Sequence, residues 1–326
     1  MSLNISYAQD ISKYLKDSSD LIRVKDLNIK LGEINKSELT QHLPFGLIRV
    51  FDVRYDTSLI GTYAQFTNAF FPGINNSKLT LEGGIKKSFE NGLNVRYRSF
   101  FDNTNNELVC FITQFRILRR DTLNETEGAG QSVGQLRIRI EAFLKTQEGY
   151  TAAFKIDTIF IENLKVLSKR EVTSELRENM VVPLFDHLHD KVSNTIWEEV
   201  FKRKIFSQEV VFDNYLKKRF GLPILVQPPA KGIYMTFKEF KNNKPSIQEF
   251  SIIKEKFKTI SLIDKNGNYI NTLKTFGFSD GSRCWIQNGN FSYPLLRSRN
   301  SFLFFITIIQ NIKVLASIDM EDGDVL

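Results

Sequence analysis

The sequence predicts an α+β protein with two parts: an N-terminal antiparallel sheet with helices packed on one face, and a small C-terminal antiparallel β-meander of barrel-like form. Three observations predict it. A chain of 326 residues is long for a single core, so two domains are expected. Its 28 phenylalanines favour pleated, half-buried strands. Tight-turn dipeptides recur through the C-terminal third of the chain.

The predicted domain boundaries follow proline content and charge. An α+β domain is expected over residues 10–220. A proline-rich linker follows at residues 221–230, where the segment LPILVQPPA holds three prolines. The β-meander domain is expected over residues 231–318, and residues 319–326 form an acidic tail.

Apolar residues alternate with polar ones in four N-terminal segments, which predicts strands at residues 46–56, 107–119, 135–146 and 150–161. The turn at Glu148-Gly149 joins the last two strands as a hairpin. Two helices are predicted against this sheet, one over residues 78–90 and one that begins near Pro183. The apolar stripe of the second helix is formed by Leu184, Leu188, Val192, Ile196 and Val200.

Four turn signals divide the C-terminal domain into short strands. They are Asn266-Gly267, Asp280-Gly281, Asn288-Gly289 and Arg299-Asn300. Asn-Gly and Asp-Gly supply the positive φ angles that tight hairpins require. Strands at residues 284–287 and 291–296 lie between these turns, and the pattern indicates a meander.

The net charge of +7 is unevenly distributed. Residues 226–318 hold 13 Lys and Arg against 5 Asp and Glu, so the predicted meander is basic. Basic surfaces attract nucleic acid and anionic lipid, although most of them are simply solvated. The charge alone therefore favours no particular partner.

Two cysteines exclude a disulfide framework. Cys110 and Cys284 are expected to be small buried hydrophobic residues, with a single bridge between domains as the alternative. No apolar run reaches the ~20 residues that a transmembrane helix needs.

The first residues indicate export. Within LNISYAQD at residues 3–10, the run Ser6-Tyr7-Ala8-Gln9 resembles the end of a bacterial secretory signal peptide, whose basic region and most of whose apolar region are missing. The alternative is an ordinary chain start before a helix over residues 8–16. The prediction is an extracytoplasmic location, in the periplasm or at the cell surface.

Charged residues alternate along three predicted strands, so those on one strand share a face of the sheet. They are Asp52, Arg54 and Asp56, then Arg137, Arg139 and Glu141, and then Lys155 and Asp157. Such residues could form an acid/base pair or a set of cation ligands. The expectation is instead a solvated sheet face that carries cross-strand ion pairs.

The sequence predicts no catalytic, cofactor-binding or metal-binding residue. His187 and His189 are two apart on a predicted helix and are expected to face solvent, whereas metal-binding pairs on helices are four apart. No nucleophile elbow, phosphate-binding loop or dinucleotide fingerprint occurs. Common enzyme classes are disfavoured, although the dispersed carboxylates of a glycosidase-like hydrolase leave no local signature.

An aromatic and basic surface on the meander is the best functional lead from residues alone. The run Lys274-Thr275-Phe276-Gly277-Phe278 resembles the core of an RNA-recognition strand, in which alternate aromatic rings stack on bases. The candidate binding surface comprises Lys274, Phe276, Phe278, Trp285 and Tyr293. Burial of these rings in the core is the alternative, and nucleic acid is a disfavoured partner.

Three segments carry a resemblance: GIYMTFKEFKNNKPS at residues 232–246, GFSDG at 277–281 and FSYPLL at 291–296. They resemble a module of uncharacterised secreted proteins and lipoproteins of Gram-negative bacteria, which implies export and offers no site. The N-terminal part, with LIRVFDVR at residues 47–54, is more weakly similar to auxiliary lipoproteins of the cell envelope. The chain lacks the lipobox cysteine near its start that a lipid anchor uses.

These observations predict a non-catalytic exported protein of the envelope or periplasm. It would bind or scaffold a protein or envelope component and use no cofactor. The first alternative is a hydrolase with dispersed Asp and Glu, and the second is nucleic-acid binding through the basic aromatic module. The sequence names neither the partner nor the oligomeric state.

Overall fold

The computed structural model describes residues 25–31, 39, 42–66, 74–122, 131–164, 169–254, 260–307 and 313–325. The chain divides into two compact units. The N-terminal unit contains residues 24–67 and 75–217, and the C-terminal unit has residues 218–326 as its main part. The predicted signal-like segment at residues 3–10 and the helix predicted over residues 8–16 lie outside the described residues.

The N-terminal unit is built on a mixed sheet, of which the structure describes eight strands. The strands are β1 (Lys25–Ile29), β2 (Leu47–Asp52), β3 (Gly61–Phe66), β4 (Ile74–Leu81), β5 (Glu107–Thr122), β6 (Gln131–Lys145), β7 (Tyr150–Leu164) and β8 (Ile205–Phe206). Their order is β1-β4-β3-β5-β6-β7-β8, and β2 also pairs with β5. The long strands β5, β6 and β7 are antiparallel neighbours, as the hairpin at Glu148-Gly149 predicts.

The α+β class is confirmed, but the sheet is not purely antiparallel. Strand β1 pairs with β4 in parallel, and both β2 and β3 pair with β5 in parallel. Parallel neighbours need a crossover connection. The chain between β2 and β5 supplies one, because it includes helix α1 (Gly84–Tyr97). Alternation along a strand reports which residues share a face and carries no information on the direction of the neighbouring strand.

Helix α1 begins later than the sequence predicts. Residues 78–81 belong to strand β4, and the helix starts at Gly84. Gly83 and Gly84 have φ angles of 77° and 79°, which glycine adopts at little cost and which reverse the chain between strand and helix. The two glycines therefore end a strand here.

Four further helices follow among the described residues of the N-terminal unit. They are α2 (Lys169–Leu176), α3 (Val182–Ser193), α4 (Trp197–Phe201) and α5 (Gln208–Phe212), with π-helical turns at Arg177–Val181 and Asp213–Lys217. The main core lies between α1–α4 and one face of the sheet. Leu184, Leu188, Val192 and Val200 of the predicted stripe are buried in it. Ile196 is 65 % exposed because α3 ends at Ser193, so the prediction of one continuous helix is wrong there.

The opposite sheet face is also covered at one end. Helix α5 and the π-helical turn after it hold Val211 and Tyr215 against Phe111 of β5. The rings of Phe111 and Tyr215 stack with centroids 4.3 Å apart and an interplanar angle of 9°. Helical elements thus lie on both faces near the β6–β7 hairpin, whereas the sequence predicts them on one face only.

The C-terminal unit contains small antiparallel sheets, as predicted, and its described strands do not close into a barrel. Strands β9 (Gly232–Tyr234), β12 (Gly277–Ser279), β13 (Cys284–Asn288) and β14 (Phe291–Pro294) form one sheet. Strands β10 (Phe250–Lys254) and β11 (Ile260–Asp264) form a hairpin. Strands β15 (Leu296–Ser298), β16 (Ser301–Thr307) and β17 (Lys313–Ile318) form a third sheet.

The predicted turns of this unit are confirmed by backbone geometry. Gly267, Gly281 and Gly289 have φ angles of 85°, 96° and 59°, and Arg299 has a φ angle of 50°. Each of these residues lies at a predicted turn signal. The local sequence therefore determines where the strands end.

The residues of the GIYMTFKEFKNNKPS segment organise the entry to this unit. Thr236 accepts a hydrogen bond from the backbone of Glu239 and caps helix α8 (Phe237–Lys241), while Glu239 Oε2 accepts a hydrogen bond of 2.8 Å from the backbone of Met235. Asn243 is buried at a φ of 51°, and its Oδ1 accepts a hydrogen bond of 2.9 Å from the Tyr234 hydroxyl. In this chain the segment stabilises a turn.

The segment predicted as a linker contains helix α7 (Pro223–Val226), and Ile224 and Leu225 are buried. Proline occupies the first turn of that helix, where a missing N–H costs nothing. The helix α6 (Lys218–Phe220) precedes it. Among the described helices, none combines the length and the apolar character that crossing a membrane requires.

The acidic residues predicted as a tail are held in place. Arg219, almost buried, makes two contacts of 2.9 Å with the Glu321 carboxylate. Asp319 is 7 % exposed, and its backbone N–H donates to the Asp324 carbonyl. A buried guanidinium needs a counter-charge, and this requirement fixes the acidic segment to the unit.

A first prediction concerns Glu107, which lies between Arg49 of β2 and Lys145 of β6. Burial raises the pKa of Glu107, but hydrogen bonds from Arg49 and Lys145 outweigh burial and hold that pKa below its ordinary value. A depressed carboxyl pKa stabilises the fold above the unfolded-state pKa, and this stabilisation is lost as pH falls through the folded-state pKa. Glu107→Gln should lower the free energy of unfolding by about 1 kcal/mol at neutral pH.

The difference between Glu107→Gln and wild type should shrink as pH falls below about 4.3, the ordinary range of glutamate. Urea unfolding at several pH values measures it. Glu199→Gln, which removes an exposed ion pair with Lys202, is the control and should change stability by a few tenths of a kcal/mol. Equal effects of the two variants would contradict the assignment.

A second prediction concerns Glu321. Glu321→Gln removes the carboxylate that contacts the almost buried Arg219 guanidinium and should destabilise the chain by about 3 kcal/mol. Asp322→Asn, one residue away and exposed, should have a small effect. Thermal unfolding of both variants checks the prediction, and a stable Glu321→Gln protein would show that the acidic segment is not anchored.

Candidate functional site

A charged surface lies on β6 and β7, on the face opposite the main core. Arg139 of β6 is the direct cross-strand partner of Asp157 of β7, and Glu141 is the partner of Lys155. Arg139 Nε lies 3.0 Å from Asp157 Oδ2, and Lys155 Nζ lies 3.6 Å from the same carboxylate. These residues are brought together as cross-strand ion pairs, each of which contributes little to stability at the surface.

Glu141 has contacts of two kinds on this surface. Lys155 Nζ lies 4.0 Å from its carboxylate, and the Tyr215 hydroxyl donates a hydrogen bond to it. The two carboxylates of the surface, Glu141 and Asp157, therefore both contact cations. This arrangement is that of a salt-bridged sheet surface, and it does not present two opposed carboxyl groups across a cleft.

Arg137 lies on the same face with a different neighbourhood. Its cross-strand partners are Arg116 on β5 and Ile159 on β7. All three of the predicted β6 residues, Arg137, Arg139 and Glu141, thus share one face, as their spacing predicts. Across the three strands, the side chains next to one another are therefore Arg116 on β5, Arg137 on β6 and the apolar Ile159 on β7.

Asp52, Arg54 and Asp56 do not belong to this surface. Strand β2 ends at Asp52, so the alternation that would align the three residues stops there. Arg54 is 5 % exposed and contacts Asp52 through both Nε and Nη2, at 2.8 and 2.9 Å. Its Nη1 donates to the Leu59 carbonyl at 2.8 Å. Arg54 and Asp52 therefore fix the loop after β2.

Asp56 has a separate role in the same loop. Its Oδ1 accepts a hydrogen bond of 2.8 Å from the backbone N–H of Ser58. This is a side-chain turn of the kind that aspartate commonly forms. Strand β2 ends at Asp52, so Arg54 and Asp56 lie beyond it and the three residues do not form the predicted row along one strand.

The predicted aromatic surface of the C-terminal unit is mostly interior. Phe278 is fully buried and stacks on Trp285, with ring centroids 5.0 Å apart and an interplanar angle of 7°. Tyr293 is buried and packs against Phe304 at 5.9 Å. A nucleobase cannot stack on a ring that is already enclosed, so Phe278 and Tyr293 do not form a stacking platform.

The other two members of this set are more accessible. Phe276 is half-buried, with its ring 5.3 Å from that of Phe237 and 5.2 Å from that of Phe240. Lys274 is exposed at the end of a short 3₁₀-helix, Thr272–Lys274. The structure therefore separates the lysine from the enclosed rings, and the five residues do not share one exposed surface.

The helical histidines are half-buried, whereas the sequence predicts solvent exposure. His187 packs edge-on against Phe160 at 5.7 Å, and His189 stacks on Tyr97 at 6.0 Å. Burial lowers the pKa of His189, and nearby Arg96 lowers it further. In the described part of the chain, no three His, Cys, Asp or Glu side chains group as metal ligands do.

The long outer edge of β7 is the feature that sequence reasoning misses. Strand β8 pairs with β7 only at Tyr150 and Thr151. Arg203 Nη1 then donates to the carbonyls of Ala152 and Ala153, at 2.9 and 2.8 Å. Along residues 154–164 no further strand pairs with the outer side of β7 in the part of the chain that the structure describes. We call this segment the β7 edge.

The direction of the backbone groups follows from a bulge. The register between β6 and β7 shifts at Ala153, and the carbonyls of Ala152 and Ala153 both point outward to Arg203. Beyond the bulge, the backbone N–H and C=O groups alternate again between the two sides of β7. Those of Phe154 point to β6, and those of the next residue point outward. The outward amides and carbonyls of the β7 edge are therefore those of residues 155, 157, 159, 161 and 163.

The β7 edge carries two exposed apolar side chains near its middle. Ile159 is 42 % exposed and Ile161 is 65 % exposed, on the same face as Lys155 and Asp157. On the other face, Phe160 is partly buried against the main core. Exposed strand edges normally carry charge or irregularity to prevent pairing. Here the ion pairs and the bulge lie in the first half of the strand, and the charged side chain of the second half, Glu162, lies on the same face as Phe160.

A third prediction tests the interior role of the meander rings. Phe278→Ala should destabilise the chain by about 3 kcal/mol, because it empties a fully enclosed ring site. Phe291→Ala is the matched control in the same sheet. Its ring is 55 % exposed, so the change should stay within about 0.5 kcal/mol. Equal stability of the two variants in urea would contradict the interior role of Phe278.

Comparison with known proteins finds no family model that matches the chain. It likewise finds no similar curated protein and no similar solved structure. The resemblance to secreted proteins and envelope lipoproteins stays a prediction from the quoted segments, and the functional argument depends on the geometry of the chain itself.

Proposed function

We propose that the protein is a non-catalytic binding or scaffolding protein that takes up an extended polypeptide as an added strand along the β7 edge. The observation that carries this proposal is the long outer side of β7, which is exposed and apolar at Ile159 and Ile161. Strand addition to a sheet edge is a recurring mode of polypeptide recognition.

The backbone of the edge supports the proposal first. Residues 154–164 span about 35 Å at the usual rise of a strand. The outward N–H and C=O groups of five residues along this length match the hydrogen-bonding pattern of an incoming strand. Main-chain hydrogen bonds of this kind supply affinity with little demand on the partner's sequence.

The side chains supply the selectivity that the backbone lacks. On the outer face, a bound strand would meet Ile159 and Ile161 in the middle, with Asp157 on one side of them and Asn163 on the other. A partner with an apolar centre flanked by polar residues is therefore favoured. Alternate residues of the added strand would face these side chains, because the period of a strand is two.

The edge is also held rigid, which lowers the cost of binding. Strand β7 pairs with β6 along nearly its whole length, and Ile156 and Leu164 anchor it in the main core. On binding, the partner loses conformational entropy as it becomes extended, whereas β7 is already extended and loses little. Scaffolding fits such a surface, because one preformed strand orients whatever pairs with it.

The alternatives have less support among the described residues. The carboxylates of Glu141 and Asp157 contact cations on a sheet surface, and Phe278 is enclosed. An extracytoplasmic location remains a prediction of the sequence, because residues 3–10 lie outside the described residues. An envelope or periplasmic partner is part of that prediction.

A fourth prediction tests strand addition directly. The probe is a fluorescein-labelled peptide of nine residues in which valine and threonine alternate, and binding is followed by fluorescence anisotropy. Ile161→Pro removes one outward N–H and leaves the β6 ladder intact, as proline does on an edge strand. It should weaken peptide binding at least tenfold. The same peptide with proline at every second position should not bind the wild-type chain.

Ile196→Pro is the matched control. Ile196 is also 65 % exposed and has a φ of −79°, which proline accepts, but it lies at the start of α4 and not on strand β7. Circular dichroism checks that each variant is folded. If Ile161→Pro does not fold, Ile159→Lys serves as the edge variant. Absence of peptide binding at a concentration where the chain is monomeric, or equal binding by the edge and control variants, would overturn strand addition.

A further inference from the structure

The order of polar and apolar residues along the β7 edge is symmetric about Phe160. From Ile156 to Leu164 the sequence is IDTIFIENL. Phe160 is central, an isoleucine lies on each side of it, two polar residues follow in each direction, and an apolar residue closes each end. A strand with this symmetry is self-complementary when a second copy runs antiparallel to it.

We propose that the polypeptide taken up along the β7 edge is the β7 edge of a second copy of this chain. The two strands pair antiparallel about a two-fold axis at Phe160 and form a homodimer. This inference rests on the proposed function, since it names the partner of the same surface. A closed two-fold interface is the commonest arrangement of homo-oligomers.

The register follows from the outward backbone groups. Residues 155, 157, 159, 161 and 163 point outward, so only pairings between odd-numbered residues close the new ladder. With the axis at Phe160, Ile159 lies opposite Ile161 of the second copy, and Asp157 lies opposite Asn163. Apolar residues therefore meet apolar ones, and polar residues meet polar ones, along the charged face.

The other face matches in the same register. Phe160 lies opposite its own counterpart, Thr158 lies opposite Glu162 of the second copy, and Ile156 lies opposite Leu164. No two like charges are directly opposite within residues 156–164, and such pairs would destabilise a sheet. Over residues 156–164, one register thus matches the side chains on both faces of the strand.

Shifted registers lose this match. Moving the axis to Ile159 places Asp157 opposite Ile161 of the second copy, and moving it to Ile161 places Ile159 opposite Asn163. In each case the exposed isoleucines lose part of their apolar contact and a polar side chain faces an apolar one. The register at Phe160 is therefore specified by side chains, in the way that strand registers generally are.

A fifth prediction tests the dimer and its register together. Sedimentation velocity of the wild-type chain should show a concentration-dependent dimer, and Ile161→Pro should remain monomeric. Phe160→Cys should form a covalent dimer under mild oxidation. In the proposed register its Cα lies about 4.5 Å from its counterpart, as in a non-hydrogen-bonded antiparallel pair, and this separation suits a disulfide.

Thr158→Cys is the matched control. Its counterpart in the second copy would lie about 14 Å away, four residues along the strand, which is too far for a disulfide. A mixture of Thr158→Cys and Glu162→Cys chains should cross-link, and it provides the test if Phe160→Cys does not fold. Cys110 and Cys284 are 2 % and 4 % exposed and give no cross-link of their own.

The outcomes separate this inference from the proposed function. A wild-type chain that is monomeric throughout, yet binds the valine–threonine peptide, would overturn the homodimer and leave strand addition standing. Cross-linking of Thr158→Cys as efficient as that of Phe160→Cys would overturn the register. A dimer that survives Ile161→Pro would place the interface elsewhere and overturn the inference.

Discussion

Burial of strand β5 on both faces is the constraint on which the N-terminal unit depends. Alternate residues of β5, such as Ile112 and Phe111, enter the main core and the aromatic cluster under α5 respectively. Burial raises the pKa of Cys110, on the main-core side, to about 12, so this thiol is protonated at neutral pH. With β2, β3 and β6 all paired to it, β5 is the interior strand from which the sheet extends.

A sheet that extends from a buried central strand has edge strands, and the proposed function depends on how the edge at β7 is protected. On the hairpin side, β8 and Arg203 satisfy the first residues of β7. The ion pairs of Lys155 and Asp157 are directed inward to β6. The rest of the edge is less protected against pairing, and for that reason the proposed partner strand is placed there.

Residue types that suggest chemistry serve the fold at several positions. Arg54 holds a loop, Asn243 and Glu239 organise a turn, and Phe278 fills a core. Polar and aromatic residues are often needed where the backbone leaves regular structure, because buried polar groups must be hydrogen-bonded. Their spacing in sequence resembles that of functional motifs for this physical reason.

The sequence by itself determined the α+β class, the hairpin at Glu148-Gly149, the turns at positive φ and the shared face of Arg137, Arg139 and Glu141, because these depend on local periodicity and on residues such as glycine. Only the tertiary structure decided which strands are parallel, which helices cover which face, and that β7 lies at an edge. Pairing partners are distant in the chain, and the same alternation serves a central strand and an outer one. The symmetry of IDTIFIENL was visible in the sequence, but it acquired meaning only when the fold placed that strand at the edge of the sheet.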